Sequence, residues 1–182
     1  MRLEQVYGQA AAADIMNAAN ALAHSGNSQI KVNGEVIQVD AVPAVQTAMA
    51  NADSNPCNPE LQNALVRAIN DAIDSLLTPA SRQKLANVVI VGSDEITPHA
   101  RIEDRTREGN ERGFTGDALF NGNNDLAGSA AAGYFLSDDP YGALTPIGLA
   151  GRALYLPQIA VGRLGETPAA IVCQTQRFID FR

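Results

Sequence analysis

The residues best suited to chemistry are carboxylates and an arginine standing just past short apolar runs. Asp94 follows Asn87-Val88-Val89-Ile90-Val91-Gly92-Ser93, Asp138 and Asp139 follow Tyr134-Phe135-Leu136-Ser137, and Arg163 comes after Ile159-Ala160-Val161-Gly162. Apolar runs of this length, closed by glycine or a polar residue, read as buried strands. The carboxyl ends of parallel strands are where open α/β folds carry their functional groups. Adjacent carboxylates at Asp138 and Asp139 suit a cation or an arginine, and an aspartate-proline turn at Asp139-Pro140 accounts for them equally well.

Nucleophilic catalysis requires a Ser, Cys or Thr beside a base, usually histidine. The chain has two histidines and two cysteines. His24 closes the first helix pattern, where a polar ring suits the exposed carbonyls. His99 follows the strand 87–92 across Thr97-Pro98, near the sheet edge. Cys173 falls inside a helix pattern away from that edge, so a dyad with His99 is not expected, and Cys57 sits in an Asn/Pro turn. No glycine-rich phosphate loop opens a helix after a strand, and no zinc spacing occurs. The run Asp104 to Arg112 reads as a solvated surface. Asp117 and Asp125 lie in a Gly/Asn/Asp-rich stretch with oxygen ligands at short spacing, as in calcium loops, but without the EF-hand pattern or its closing glutamate. A glycine-rich turn outweighs a structural calcium site there, and no other cofactor is implied.

The elements that must position these groups follow from periodicity. Residues 4–24 read as one helix on an alanine-rich face, ended by Ser25-Gly26-Asn27-Ser28. Ile30 to Val39 alternates around Asn33-Gly34, which predicts either a hairpin or a tight bend before a parallel strand at Val36 to Val39. Pro43 opens a short helix through Met49. Pro59 to Leu77 is the clearest helix, with Leu61, Leu65, Ile69, Ile73 and Leu76 on one face, and Thr78-Pro79 ends it. Then come a strand at 87–92, a long irregular loop at about 95–133, a short apolar segment at 134–136, and a strand at 154–161. A last helix starts at Pro168 with Thr167 as its N-cap. Helices interleaved with strands predict a three-layer α/β/α subdomain over 1–182 with a mostly parallel sheet. Both ends look cut, so a truncated subdomain is expected, with an open sheet edge that favours strand pairing between copies.

Bulk properties narrow the function. With 13 Lys and Arg against 20 Asp and Glu, the net charge of -7 argues against a nucleic-acid partner. The apolar stretches are too short to span a bilayer. The polar start Met1-Arg2-Leu3-Glu4-Gln5 carries no signal-peptide pattern, and the compartment is not assigned from the residues. An apolar share of 46% suffices for a core.

Three stretches taken together resemble one family. They are Val88-Val89-Ile90-Val91-Gly92-Ser93-Asp94-Glu95-Ile96-Thr97-Pro98, then Ser137-Asp138-Asp139-Pro140-Tyr141, then Leu156-Pro157-Gln158-Ile159-Ala160-Val161-Gly162-Arg163-Leu164. In this order they are similar to the first half of a gingipain-type cysteine peptidase domain, of the caspase-like clan CD fold. Ser93 departs from the family pattern by standing between the glycine and the acid. The resemblance implies that the catalytic histidine, in a Gly-His-Gly context, and the catalytic cysteine belong to later strands. Neither is present, so His99, Cys57 and Cys173 do not match them and no catalytic residue is carried over. What the resemblance implies is a supporting subdomain, inactive alone. Its partners would be the catalytic second half of the same polypeptide and a polypeptide substrate along one cleft wall, in a secreted or cell-envelope parent. Asp94, Asp138, Asp139, Tyr141 and Arg163 are the expected sheet-edge residues, with the arginine held by carboxylates and the tyrosine hydroxyl nearby. Two other readings are a caspase-like scaffold without peptidase activity and a flavodoxin-like domain binding a phosphate-bearing ligand at Ser93 and Asp94.

Overall fold

Helix α4 (Pro59–Leu76) starts where its sequence says it should. The Asn58 side chain accepts hydrogen bonds from the Glu60 and Leu61 amides (2.9 and 3.3 Å), and Pro59 occupies the first turn. Its buried face, Leu65, Val66, Ile69 and Ala72, packs against Val45 and Ala52 of α3 (Pro43–Ser54) and against Ile90, Ala100 and Tyr141. Each large aliphatic side chain buried here is worth about 1.5–3 kcal/mol relative to exposure. This cluster is the core on which the strand ends rest. In this computed structural model the described residues are 1–26, 31–114, 125–143, 146–149 and 151–181.

The molecule is a mixed α/β protein in which the described strands form three two-stranded pairs. β1 (Asn87–Val91) and β6 (Ala160–Leu164) run parallel, with Val88 beside Val161 and Ile90 beside Arg163. β2 (Ala100–Glu103) and β3 (Tyr134–Ser137) are antiparallel, with Arg101 beside Leu136. β4 (Ile147–Leu149) and β5 (Arg152–Leu154) form a separate antiparallel pair. Only one pair is therefore parallel, where a mostly parallel sheet was expected. Val88, Ile90 and Val161 face the core cluster, whereas Val89, on the opposite face by alternation, is 50% exposed.

Several elements depart from the sequence reading, each for a local reason. The first helix is two, α1 (Arg2–Tyr7) and α2 (Gln9–Ala23), broken at Gly8 with φ 84. Val36 to Val39 forms no strand. Asn33 takes φ 48 and the Gly34 amide donates to Ala23 O (2.9 Å), which lays the chain against the end of α2, and one 3-10 turn at Val39–Ala41 follows. α3 continues past Met49 to Ser54. Thr78 caps a further helix, α5 (Pro79–Lys84), through its hydroxyl to the Ser81 amide (3.1 Å). The expected strand at 154–161 is divided: β5 ends at Leu154 and β6 starts at Ala160, with Pro157, which has no amide donor, between them.

The interval from 95 to 133, expected to be irregular throughout, contains β2, a 3-10 turn at Glu111–Phe114 and α6 (Asp125–Ala132). α7 (Asp139–Gly142) and α8 (Pro168–Phe181) complete the elements, and α8 packs on α2, with Ile171 and Thr175 of α8 and Ala12 and Ile15 of α2 buried. The Thr167 hydroxyl accepts from the Ala170 amide (3.3 Å) at the start of α8.

Candidate functional site

The polar residues singled out in the sequence gather at the carboxyl ends of β1 and β6. β1 runs into Gly92, whose φ of 114 is open to glycine at little cost. A side chain there would also strike Ile96, whose Cβ lies 2.7 Å from the position a Cβ would take. The turn that follows is closed by Ile96 and Thr97 amides donating to Ser93 O (both 3.0 Å), which fixes Asp94 and His99 over the strand ends.

Two bidentate ion pairs occupy this edge. Arg163 donates from Nε to Asp138 Oδ2 (2.8 Å) and from Nη2 to Asp138 Oδ1 (2.5 Å). Its Nη1 donates to Gly92 O (2.8 Å) and Thr97 O (2.7 Å). Arg101, with a side chain 6% exposed, donates to both oxygens of Asp94 (2.8 and 2.5 Å) and from Nη1 to His99 O (2.6 Å). Fork-to-fork pairing of this kind is the strongest form of the arginine–carboxylate bond. Each pair joins the parallel strands to the antiparallel ones: Arg163 of β6 reaches the residue after β3, and Arg101 of β2 reaches the loop after β1.

His99 stands between the two pairs. Its backbone amide and its ring Nδ1 both meet Asp94 Oδ1 (2.7 and 2.9 Å), and Nε2 lies 3.8 Å from Asp138 Oδ2. An ionised carboxylate only accepts, so Nδ1 is the protonated donor. Burial pushes the Asp94 carboxyl up, but hydrogen bonds from His99 and Arg101 and the Arg101 charge outweigh it and hold Asp94 well below the usual carboxylate range. Tyr141, from α7, is buried and donates its hydroxyl to Pro98 O (2.6 Å). Burial drives its phenol far above the ordinary value, so it is a fixed neutral donor. Asp139 is exposed and takes no part in the two pairs; its amide donates to Ser137 Oγ (3.1 Å).

Sequence reasoning paired Arg163 with carboxylates without choosing between them, and it gave Arg101 no role. The structure divides the work: Arg163 takes Asp138, and Arg101 with His99 takes Asp94. Asn63 and Asn70 of α4 were also overlooked. Asn63 accepts from the Arg101 amide (2.8 Å) and donates to Arg101 O (2.9 Å), substituting for a missing strand neighbour, and Asn70 donates to Pro140 O (3.1 Å). Their seven-residue spacing puts them on one helix face, the signal that was available. A cleft of about 490 Å³ opens beside them, lined among others by Val88, Arg101, Tyr141, Tyr155 and Ile159.

Chemically, this is an arrangement in which donors and acceptors satisfy one another. No buried side-chain polar atom among the described residues lacks a hydrogen-bond partner. His99 faces carboxylates rather than a nucleophile. Cys57 and Cys173 are free and exposed, in the turn before α4 and in α8. No group of three or more His, Cys, Asp or Glu suited to a metal ion occurs among the described residues. Asp117 lies outside the described residues, and of the Asp125 side chain nothing is described, so the calcium reading of that stretch falls outside them. No described helix is long and apolar enough to cross a membrane. No protein-family model, curated protein or solved structure matches this chain.

Proposed function

We propose that this chain is a non-catalytic supporting subdomain of a gingipain-like cysteine endopeptidase, with a caspase-like three-layer arrangement once its sheet is completed. The observation that carries the reading is the engagement of Arg163. Its three nitrogens make four hydrogen bonds, two to Asp138 and two to main-chain carbonyls, so four of the five N–H donors of the arginine that closes the motif strand are held by the protein itself. Arg101 and Asp94 are similarly committed to each other and to His99. A side chain so held positions loops; it does not bind and release ligands. The role that follows is to hold the loop 92–99 and the short helix α7 with Asp138 before it as a rigid wall beside a catalytic half that supplies histidine and cysteine, with a polypeptide as substrate of the whole.

The test is to assay thiol-dependent peptide cleavage by this chain alone and by the chain expressed with the sequence that follows it in its gene. The expected outcome is activity in the longer protein only, abolished by a cysteine alkylator. Absence of a Gly-His-Gly and a strand-end cysteine from that following sequence would overturn the peptidase reading, and alkylator-sensitive cleavage by the chain alone would overturn the non-catalytic one.

A further inference from the structure

The polar stripe of an amphipathic helix usually meets bulk water alone. In α4 it also borders a protein wall. Asn63, Arg67, Asn70, Asp71 and Asp74 lie along one stripe, and all five line the cleft of about 490 Å³. The same stripe ties the walls in place. Asn63 exchanges two hydrogen bonds with the Arg101 backbone in β2 (2.8 and 2.9 Å), and Asn70 donates to Pro140 O in α7 (3.1 Å). Val66, Val88, Tyr141 and Ile159 give the cleft its apolar lining. A preformed cleft within the range of about 300–1,000 Å³, apolar with a few polar groups, is the usual form of a small-molecule site.

Most charges around the cleft already have partners. Arg82 pairs with Asp74 (2.9 Å), Arg101 with Asp94 (2.5 Å) and Glu103 with Arg105 (2.6 Å). Glu60 stands in the first turn of α4, where the helix dipole favours an acid. Arg67 and Asp71 remain. Neither side chain has an ion pair or hydrogen bond to any described residue, and although one turn apart they do not pair with each other.

We propose that this cleft binds a short apolar peptide of dipeptide length with both ends free, its carboxylate on Arg67 and its ammonium on Asp71. The two charges decide the ends. A ligand carrying only an anion would meet Asp71 one turn from Arg67, and a lone cation would meet the converse, so a molecule with both signs is the one that suits both. The spacing decides the length. Arg67 and Asp71 are separated by about 6 Å of helix rise. An extended dipeptide spans about 7 Å and a single amino acid about half that. Both side chains are exposed, so the ionic contacts select the ligand while its apolar side chains, laid on Val66, Val88 and Ile159, supply most of the affinity. The argument uses the cleft alone and is independent of the peptidase reading.

The test is to titrate leucyl-leucine into the nitrogen-15-labelled chain and follow it by NMR. The side-chain amides of Asn63 and Asn70 and the backbone amides of Arg67 and Asp71 should shift saturably. Glycyl-glycine, which has both charges and no apolar side chain, should bind at least about tenfold more weakly. Blocking one end, as N-acetyl-leucyl-leucine or leucyl-leucinamide, should weaken binding about two- to fivefold, the worth of one exposed ion pair. Arg67→Gln should abolish the penalty for amidation and keep the penalty for acetylation, and Asp71→Asn should do the reverse. Both variants should keep the thermal midpoint, since neither side chain has a partner to lose. Absence of a saturable shift at the cleft overturns the proposal. Equal binding of glycyl-glycine overturns it too, as do end-block penalties that are missing or that Arg67→Gln and Asp71→Asn leave unchanged.

Discussion

Replacing Arg163 with alanine is the most direct test of the strand-end ion pairs. The substitution removes two hydrogen bonds to Asp138, whose side chain is only 21% exposed, and one donor each from the Gly92 and Thr97 carbonyls. Removing one partner of a buried pair costs about 3–5 kcal/mol, mostly from the charge left behind. Because Asp138 retains some contact with water, the lower part of that range applies, about 3–4 kcal/mol. For a chain of this size each kcal/mol moves the thermal midpoint by about 2–4 °C, so a fall of roughly 6–16 °C is expected by circular dichroism or calorimetry. Arg163→Lys should recover only part of this, since an ammonium cannot span both carboxylate oxygens and two carbonyls at once. A double-mutant cycle with Asp138→Asn should give a coupling of about 2 kcal/mol. A midpoint within the error of the unaltered chain, or a cycle in which the two losses simply add, would refute the argument that this pair holds the strand ends together.

Two further perturbations bear on the same region. Asp94 has a folded-state pKa below its unfolded value, so its contribution is present in full above the unfolded value of about 3.9 and is lost as pH falls below it. Asp94→Asn should therefore be less stable than the unaltered chain at neutral pH, with the gap closing only under acid; urea titrations from neutral to acidic pH check this, and a gap that stays constant down through the carboxylate range counts against it. Gly142→Ala would place a Cβ 2.5 Å from Ile159 O and 2.6 Å from Val161 Cγ2, forcing α7 off β6, and should cost about 1–3 kcal/mol. Gly148→Ala, with nothing within 4 Å, is the control and should be close to neutral in the same urea titration.

How much of this was legible in the sequence depends on where each element's partner lies. α4 was readable because its apolar residues recur every three or four positions and its cap is local. α5 was missed because Thr78-Pro79 is both a stop for one helix and a start for the next, and only the hydroxyl's bond to Ser81 tells them apart. β2 was hidden for a different reason. A buried strand is recognised by an apolar residue at each inward position, and here Arg101 is buried instead, its charge paid for by Asp94 seven residues earlier and its side chain also bonded to His99 O. Asp94, Asp138 and Arg163 were found from strand ends, and Tyr141 from the family resemblance alone. Which acid takes which arginine was not, because that depends on how β2 folds back on β3.

The division of labour between the two ion pairs also explains how small sheets can present a defined edge. A two-stranded pair is marginal alone, and no backbone ladder joins β1–β6 to β2–β3. A hydrophobic contact would hold them together without fixing their relative position, since it is indifferent to small slides. Two bidentate forks are not indifferent: each requires a plane and a direction, and they cross between the same two strand pairs. Tyr141 adds a third fixed point by tying α7 to Pro98. Buried ion pairs are poor net stabilisers compared with apolar residues of similar volume. Their presence here is therefore better understood as a demand for position than for stability.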